Sequence, residues 1–385
     1  MKKSDNSKRS NISPFVAMEM MAKANLLESK GKDVIHMDVG EPGFNTPNHV
    51  LDFVKSNIKE KNFGYTEALG MPELREQISI HYKYWYKKNI DPDCIAVTVG
   101  ASGAFILSLL ASFDVGDKVG IMRPYYPAYL NAMKALGLKV IVLDSSIEEG
   151  YQPSYEILKK TTSDLKGLVI ASPANPTGSV IQKQQLKEVV EFCKSKNVRI
   201  ISDEIYHGVE YDGFSNTLFS LNNNTLVINS FSKYFSMTGW RLGWIVASKE
   251  IIKIIEKLSM AFVLCPPNIS QLAAIKVFED YEMLNKNVTI YKNNRDLLLD
   301  AFESVNLKNY APPNGAFYIY LNINEVSNNS SILASRLLNE VGVSSAPGID
   351  FDDKYGKNFI RFSYAGPTQK IKEGADRIKN WLKNN

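Results

Sequence analysis

Between residues 95 and 250 the chain repeats one pattern, and this restricts the fold more than any other feature. Short, β-branched runs at 95–99, 118–121, 140–143, 167–171, 199–202, 226–229 and 243–247 alternate with longer amphipathic stretches. "SGAFILSLLASF" (102–113) and "QKQQLKEVVEFCKSK" (182–196) place apolar residues at helical three-to-four spacing. Strands that alternate with helices predict a mostly parallel sheet covered on both faces, with right-handed crossovers. The run at 243–247 follows its neighbour after a loop alone, so one antiparallel member is expected. The predicted class is α/β, with a seven-stranded sheet sandwiched by helices and a smaller α+β unit beside it.

That smaller unit is read from the C-terminal third. Helical patterns at 250–262, 269–285 and 293–305 precede short strands at 316–322 and 359–365. A helix is expected at 331–343 between them, and a closing helix at 370–383. The sequence has no Ser/Gly-rich hinge or internal repeat. The expected organisation is a large domain at 46–285, a small domain from 12–45 plus 286–385, and a flexible tail at 1–11. The tail, "MKKSDNSKRSN", is basic but has no apolar stretch behind it and does not read as a secretory signal.

Charge and cysteine content narrow the setting. With 45 basic and 41 acidic residues, the net charge of +4 makes no case for nucleic acid. No run approaches the roughly 20 apolar residues that a membrane helix needs. Cys94, Cys193 and Cys265 are odd in number and far apart, as reduced thiols of a cytoplasmic protein would be. The four histidines show no metal-ligand spacing, so no metal is expected.

The polar and glycine-rich stretches follow the strands closely. "GASGAF" follows the first, "RPYYPAY" the second, "PANPTG" the fourth, "SDEIYHG" the fifth and "NSFSK" the sixth. In a parallel sheet these strand ends share one edge, where ligands bind. "GASGAF" opens a helix, whose free N–H groups and dipole suit a phosphate. It lacks the Gly-Lys-Ser/Thr ending of a nucleotide loop and the dinucleotide G-x-G-x-x-G. Ser230, Ser232 and Arg241 add donors suited to a monophosphate. Lys233 lies among them. A nearby Arg241 and a dry pocket disfavour its ammonium form, and a neutral amine attacks a carbonyl. A phosphate-bearing aldehyde beside such a lysine is pyridoxal 5'-phosphate, which also needs an acid at its ring nitrogen. Asp203 stands at a strand end for that purpose. Tyr206 and Asn175 are placed to tune the ring hydroxyl, and Tyr126 to stack on the ring.

Taken singly, these residues have plainer readings. A lysine in a serine-rich loop is usually solvated, "NPTG" is a turn signal, Asp203 can cap a helix, and Arg361 can pair at the surface. Their joint order is what counts. "DVGEPGFNTP", "GYTEALGMPELRE", "PYYPAY", "SPANPTG", "SDEIY", "SFSKYFSMTGWRLGW" and "FIRFSYA" together resemble the class I/II aminotransferases of the fold type I pyridoxal-phosphate enzymes. The likeness runs from about residue 12 to the C-terminus. It implies an amino transfer from an L-amino acid to a 2-oxo acid through a ping-pong mechanism. Lys233 resembles the Schiff-base lysine and proton shuttle. Ala101, Ser102, Ser230, Ser232 and Arg241 resemble phosphate ligands, and Tyr126 the stacking aromatic. Asn175, Asp203 and Tyr206 resemble the ring contacts. Arg361 resembles the arginine that grips the substrate α-carboxylate, with Gly40 and Asn175 beside it. Tyr65 resembles a tyrosine that reaches the partner's phosphate, which implies a homodimer.

The same cofactor residues would serve a carbon–sulfur lyase or another elimination enzyme, and fold analogy does not separate them. A non-catalytic cofactor-binding regulator would need a DNA-binding module, for which no stretch is free. The substrate is less legible. Acidic substrates need a second cation, and the position just after "GA", lysine in some aspartate-using relatives, is Ser102. Phe15, Tyr65 and Tyr126 suit a pocket for neutral side chains.

Overall fold

A computed structural model describes residues 7–384 except 60–62, 162, 163, 214 and 223. Among the described residues the strands are β1 (Ile35–Met37), β2 (Ile95–Thr98), β3 (Lys118–Met122), β4 (Lys139–Leu143), β5 (Gly167–Ala171), β6 (Arg199–Asp203), β7 (Thr225–Ser230), β8 (Gly243–Val246), β9 (Tyr318–Asn322), β10 (Val343–Pro347) and β11 (Phe359–Ser363). Seven of them form one sheet in the order β2-β8-β7-β6-β5-β3-β4. Every neighbouring pair is parallel except those of β8, which runs antiparallel to β2 and β7. The expected α/β class and its single antiparallel strand are both present.

The middles of the central strands are apolar on both faces because successive side chains enter two different cores, whereas their polar residues fall at the strand ends. Leu168, Ile170, Ile200, Val227, Trp244 and Val246 belong to one core. Val169, Ile201, Leu226, Ile228 and Ile245 belong to the other, under helices Gly100–Ser112, Pro127–Ala135 and Lys249–Phe262. Helix Lys183–Ser195 shows how periodicity becomes packing: Leu186, Val189, Val190 and Cys193 are its buried stripe.

The second sheet runs β1-β10-β11-β9, with β1 parallel to β10 and the other pairs antiparallel. Two of its strands were not expected. β1 is three residues long, and β10 reads "VSSAP". Both are held by tertiary pairing, which buries Ser344 and Ser345 completely. The helix expected over 331–343 runs only from Ser330 to Arg336. A wider turn at Leu337–Val341 and Gly342, at φ +66°, then release the chain into β10. The pattern at 269–285 is also two helices. Asn268–Val277 ends, the Asp280 side chain accepts from Met283 N at 2.9 Å, and a new helix runs from Tyr281 to Glu303. The expected boundary at 285/286 lies inside that helix. Of the expected tail, residues 1–6 lie outside the described residues, and Lys8–Ser10 form an exposed 3-10 turn.

Candidate active site

The register of the large sheet gathers the motifs. Ala171 is level with Asp203, Asp203 with Ile228, and both Ser230 and Thr98 with Gly243. Their loops therefore open on the same edge. There a cavity of about 330 Å³ is lined by Gly40, Ala101, Ser102, Tyr126, Asn175, Asp203, Tyr206, Ser230, Ser232, Lys233, Arg241 and Arg361. Of the residues singled out by sequence, only Tyr65 does not line it. Tyr65 is 85% exposed, beside a Gly64 carbonyl that accepts from Asn268 Nδ2 at 2.9 Å.

At one end of the cavity helix Gly100–Ser112 begins without a side-chain cap, leaving its first N–H groups free for a ligand. Gly100, at φ +67°, holds the turn. A Cβ there would lie 2.7 Å from Arg241 Nη2, so the guanidinium lies directly over the helix start. Gly243 makes an equally close approach: its Cβ would be 2.9 Å from Ala101 N. Ser230 and Ser232 hydroxyls complete the group, 2.9 Å apart. Free helix N–H groups, two hydroxyls and a guanidinium are a donor set for a phosphate dianion.

Asp203, which lines the same cavity, is buried, which pushes its carboxyl up to about 6. Tyr129 OH donates to Asp203 Oδ2, and Ile205 N donates to Oδ1 at 3.1 Å. These bonds hold it on the ionised side at neutral pH. Sequence reading quoted Tyr129 within "PYYPAY" but gave it no role. Its position one helical turn after Tyr126 was the available signal. Tyr126 meets it edge to face, with ring centroids 5.5 Å apart.

Lys233 Nζ lines the same cavity and donates to Gly40 O at 2.6 Å. Burial first, then the charge of Arg361, lowers its pKa to about 8, with Arg241 contributing less. Arg361, more than Arg241, is thus the charge that weakens this ammonium. Arg361 is 4% exposed and sandwiched between the Tyr318 and Phe351 rings, at 4.4 and 4.7 Å. Its Nη1 donates to Asn175 Oδ1 at 2.8 Å and its Nη2 to Asp38 O, whereas its buried Nε has no partner among the described residues. A buried guanidinium with an unspent donor is suited to a carboxylate ligand. Tyr206 OH pairs with Tyr318 OH at 2.6 Å. Tyr318, Phe351 and Asp38 were not singled out by sequence, because they reach the site from the second sheet and its connections.

Phosphate donors, a buried carboxylate and a lysine of lowered pKa that line one cavity define a pyridoxal-phosphate site on a doubly wound α/β scaffold. Comparison with known proteins agrees. The family model "Aminotransferase class I and II" matches residues 32–378, and the chain belongs to that family. It is 38% identical to the valine–pyruvate aminotransferase of Mycobacterium tuberculosis, over 97% of both chains. It is 39% identical to the (5-formylfuran-3-yl)methyl phosphate transaminase of Methanocaldococcus jannaschii, over 97% of this chain and 98% of that one. Among solved structures, an aminotransferase from Mycobacterium tuberculosis superposes with a TM-score of 0.97 at 36% identity, covering 100% of both chains. The Thermus thermophilus aspartate aminotransferase with maleate gives 0.91 at 30% identity, covering 98% of this chain and 100% of that one. The protein is an aminotransferase that uses pyridoxal phosphate, and the elimination alternative is not favoured. Among the described residues no cluster of metal ligands occurs, and no helix is long and apolar enough to cross a membrane.

Proposed function

We propose that Lys233 is the residue on which amino transfer from an L-amino acid to a 2-oxo acid turns. Its placement carries this reading: Nζ lies in the cavity 2.6 Å from Gly40 O, with a pKa lowered to about 8. Bound pyridoxal phosphate would supply an aldehyde that links amino groups and a ring that spreads carbanion charge. Arg361 binds the substrate α-carboxylate through its fork, and Asn175 and Gly40 orient the same end. Lys233 Nζ, in its neutral form, takes the proton from the substrate α-carbon and returns it on the far side of the transfer. Asp203, held by Tyr129, would hold the ring nitrogen in its protonated form. Ala101, Ser102, Ser230, Ser232 and Arg241 would hold the phosphate. Tyr126 would pack against the ring, and Tyr206 would bond its hydroxyl.

Two domains are proposed, at 46–285 and at 12–45 plus 286–385, each centred on one sheet and joined through helix Tyr281–Glu303. A homodimer is proposed as the working form. Tyr65, exposed and outside its own chain's cavity, is the residue to complete the partner's phosphate site. Three unpaired cysteines fit a cytoplasmic setting. The test is Lys233→Ala in the cofactor-loaded protein, read as the spectral change when an amino acid is added without acceptor. The expected result is complete loss of the half-reaction with both amino acids and 2-oxo acids. Ordinary turnover in Lys233→Ala would refute the assignment.

A further inference from the structure

The cavity has a charge inventory that the roles above nearly exhaust. Among the described residues that line it, the cations are Lys233, Arg241 and Arg361. The first carries the amino transfer, the second lies over the phosphate end, and the third takes the α-carboxylate. On this chain no cation remains for a second carboxylate, and Tyr65, the residue proposed to reach the partner's site, brings none. The other charged lining residues are acidic: Asp38, Glu41, Asp203 and Asp350. Phe15, Met18, Ile106 and Phe351 add an apolar wall.

Part of that wall depends on Asp350. Phe15, at the start of helix Val16–Ser29, provides no side-chain cap. Asp350, on the turn between β10 and β11, supplies one from 334 residues away: Oδ1 accepts from Val16 N and Oδ2 from Ala17 N, both at 2.9 Å. Both of its oxygens are spent on the helix start, which is favourable for a carboxylate. Phe15 lies just before the two pinned amides and Met18 just after. Asn131 Nδ2 donates to Ser13 O at 2.9 Å and fixes the approach to this turn. The wall is therefore a helix end tied to the loop that leads into the Arg361 strand.

We infer that this cavity exchanges amino groups between monocarboxylic partners with uncharged, apolar side chains, and that Asp350 is a positioning residue that sets this specificity by holding Phe15 and Met18 in its wall. The inference rests on the assignment of Arg361 to the α-carboxylate. A distal carboxylate would enter an apolar wall beside Asp350, with its charge unpaired. An apolar side chain instead removes its own surface and that of Phe15, Met18 and Ile106 from water.

The test uses the cofactor-loaded protein and single-turnover spectra. L-Alanine, L-valine, L-leucine, L-aspartate and L-glutamate are added singly, and pyruvate, 4-methyl-2-oxopentanoate and 2-oxoglutarate are used for the return half. Leucine and valine are expected to exceed aspartate and glutamate by about 100-fold or more in kcat/KM, and 2-oxoglutarate to be the poorest acceptor. In Asp350→Ala the leucine-to-alanine ratio of kcat/KM is expected to fall about tenfold, chiefly through KM, with a smaller fall in Asp350→Asn. A gain-of-function variant covers the case in which Asp350→Ala fails to fold. Met18 is 49% exposed, and Met18→Arg supplies the missing cation. It is expected to raise glutamate about tenfold relative to leucine. Aspartate or glutamate within tenfold of leucine in the unmodified protein would overturn the inference and leave the Lys233 assignment standing. An unchanged leucine-to-alanine ratio in folded Asp350 variants would overturn the role of Asp350. Reaction with no amino acid at all would overturn the site assignment and this inference with it.

Discussion

Tyr129→Phe isolates one hydrogen bond at the centre of the site. Tyr129 is 7% exposed, its ring packs 5.0 Å from Phe105 and 5.5 Å from Tyr126, and its hydroxyl donates to Asp203 Oδ2. Phenylalanine keeps the ring and removes only the donor. Asp203 would then keep Ile205 N at 3.1 Å on Oδ1, with Oδ2 buried and short of a partner. Burial already pushes this carboxyl up to about 6, and the Tyr129 bond is the largest opposing effect. Without it the carboxyl rises further and is partly protonated near neutral pH. A hydrogen bond to a charged group contributes about 1.5–3 kcal/mol, and about 1.4 kcal/mol is a factor of ten. The expected cost is therefore about 10-fold to about 150-fold in cofactor affinity of the apoprotein. The sign fixes the pH dependence. A carboxyl of raised pKa loses its charge as pH falls, so the loss deepens toward acid and recovers toward alkali. Spectral titration of the apoprotein with pyridoxal phosphate across that range measures both. Affinity within about twofold of the unmodified protein at every pH would refute the view that Tyr129 keeps Asp203 ionised.

Gly100→Ala forces an L side chain onto φ +67° and places a Cβ 2.7 Å from Arg241 Nη2, so it is expected to cost about 1–2 kcal/mol of stability and to weaken cofactor binding. Urea melts of the apoprotein and cofactor titration check the two effects separately. His36→Gln tests a pH-linked contact behind Arg361. Hydrogen bonding to Asp38, and more weakly to Glu28, raises His36 to about 8. The stability it contributes is present below the ordinary histidine pKa and is lost as pH rises through about 8. Because His36 is solvent-exposed, solvent screening reduces the contribution to about 1 kcal/mol. The variant should be less stable than the unmodified protein at pH 6 and equal to it at pH 9, as measured by melts at both values.

Much of this was legible in the chain itself. The strand–helix alternation determined the parallel sheet, because a strand buried on both faces must be apolar throughout and a helix covering it must be striped. The polar loops after those strands determined where ligand chemistry lies, since parallel strands end on one edge. Lys233 and Asp203 could be placed on that edge because each stands within a few residues of such a strand end, and Arg241 because it stands two residues before the antiparallel β8, which starts on the same edge.

Other features were decided only in three dimensions. "VSSAP" becomes β10 because β1 and β11 pair with it, and no local preference announces that. Tyr318, Phe351, Asp38 and Asp350 reach the site from the second sheet and its connections, up to 334 residues from the groups they touch. Local sequence sets backbone preference and periodicity over a turn or two. Which carboxylate caps a distant helix, and which arginine lowers a lysine's pKa, depend on distances that packing alone creates.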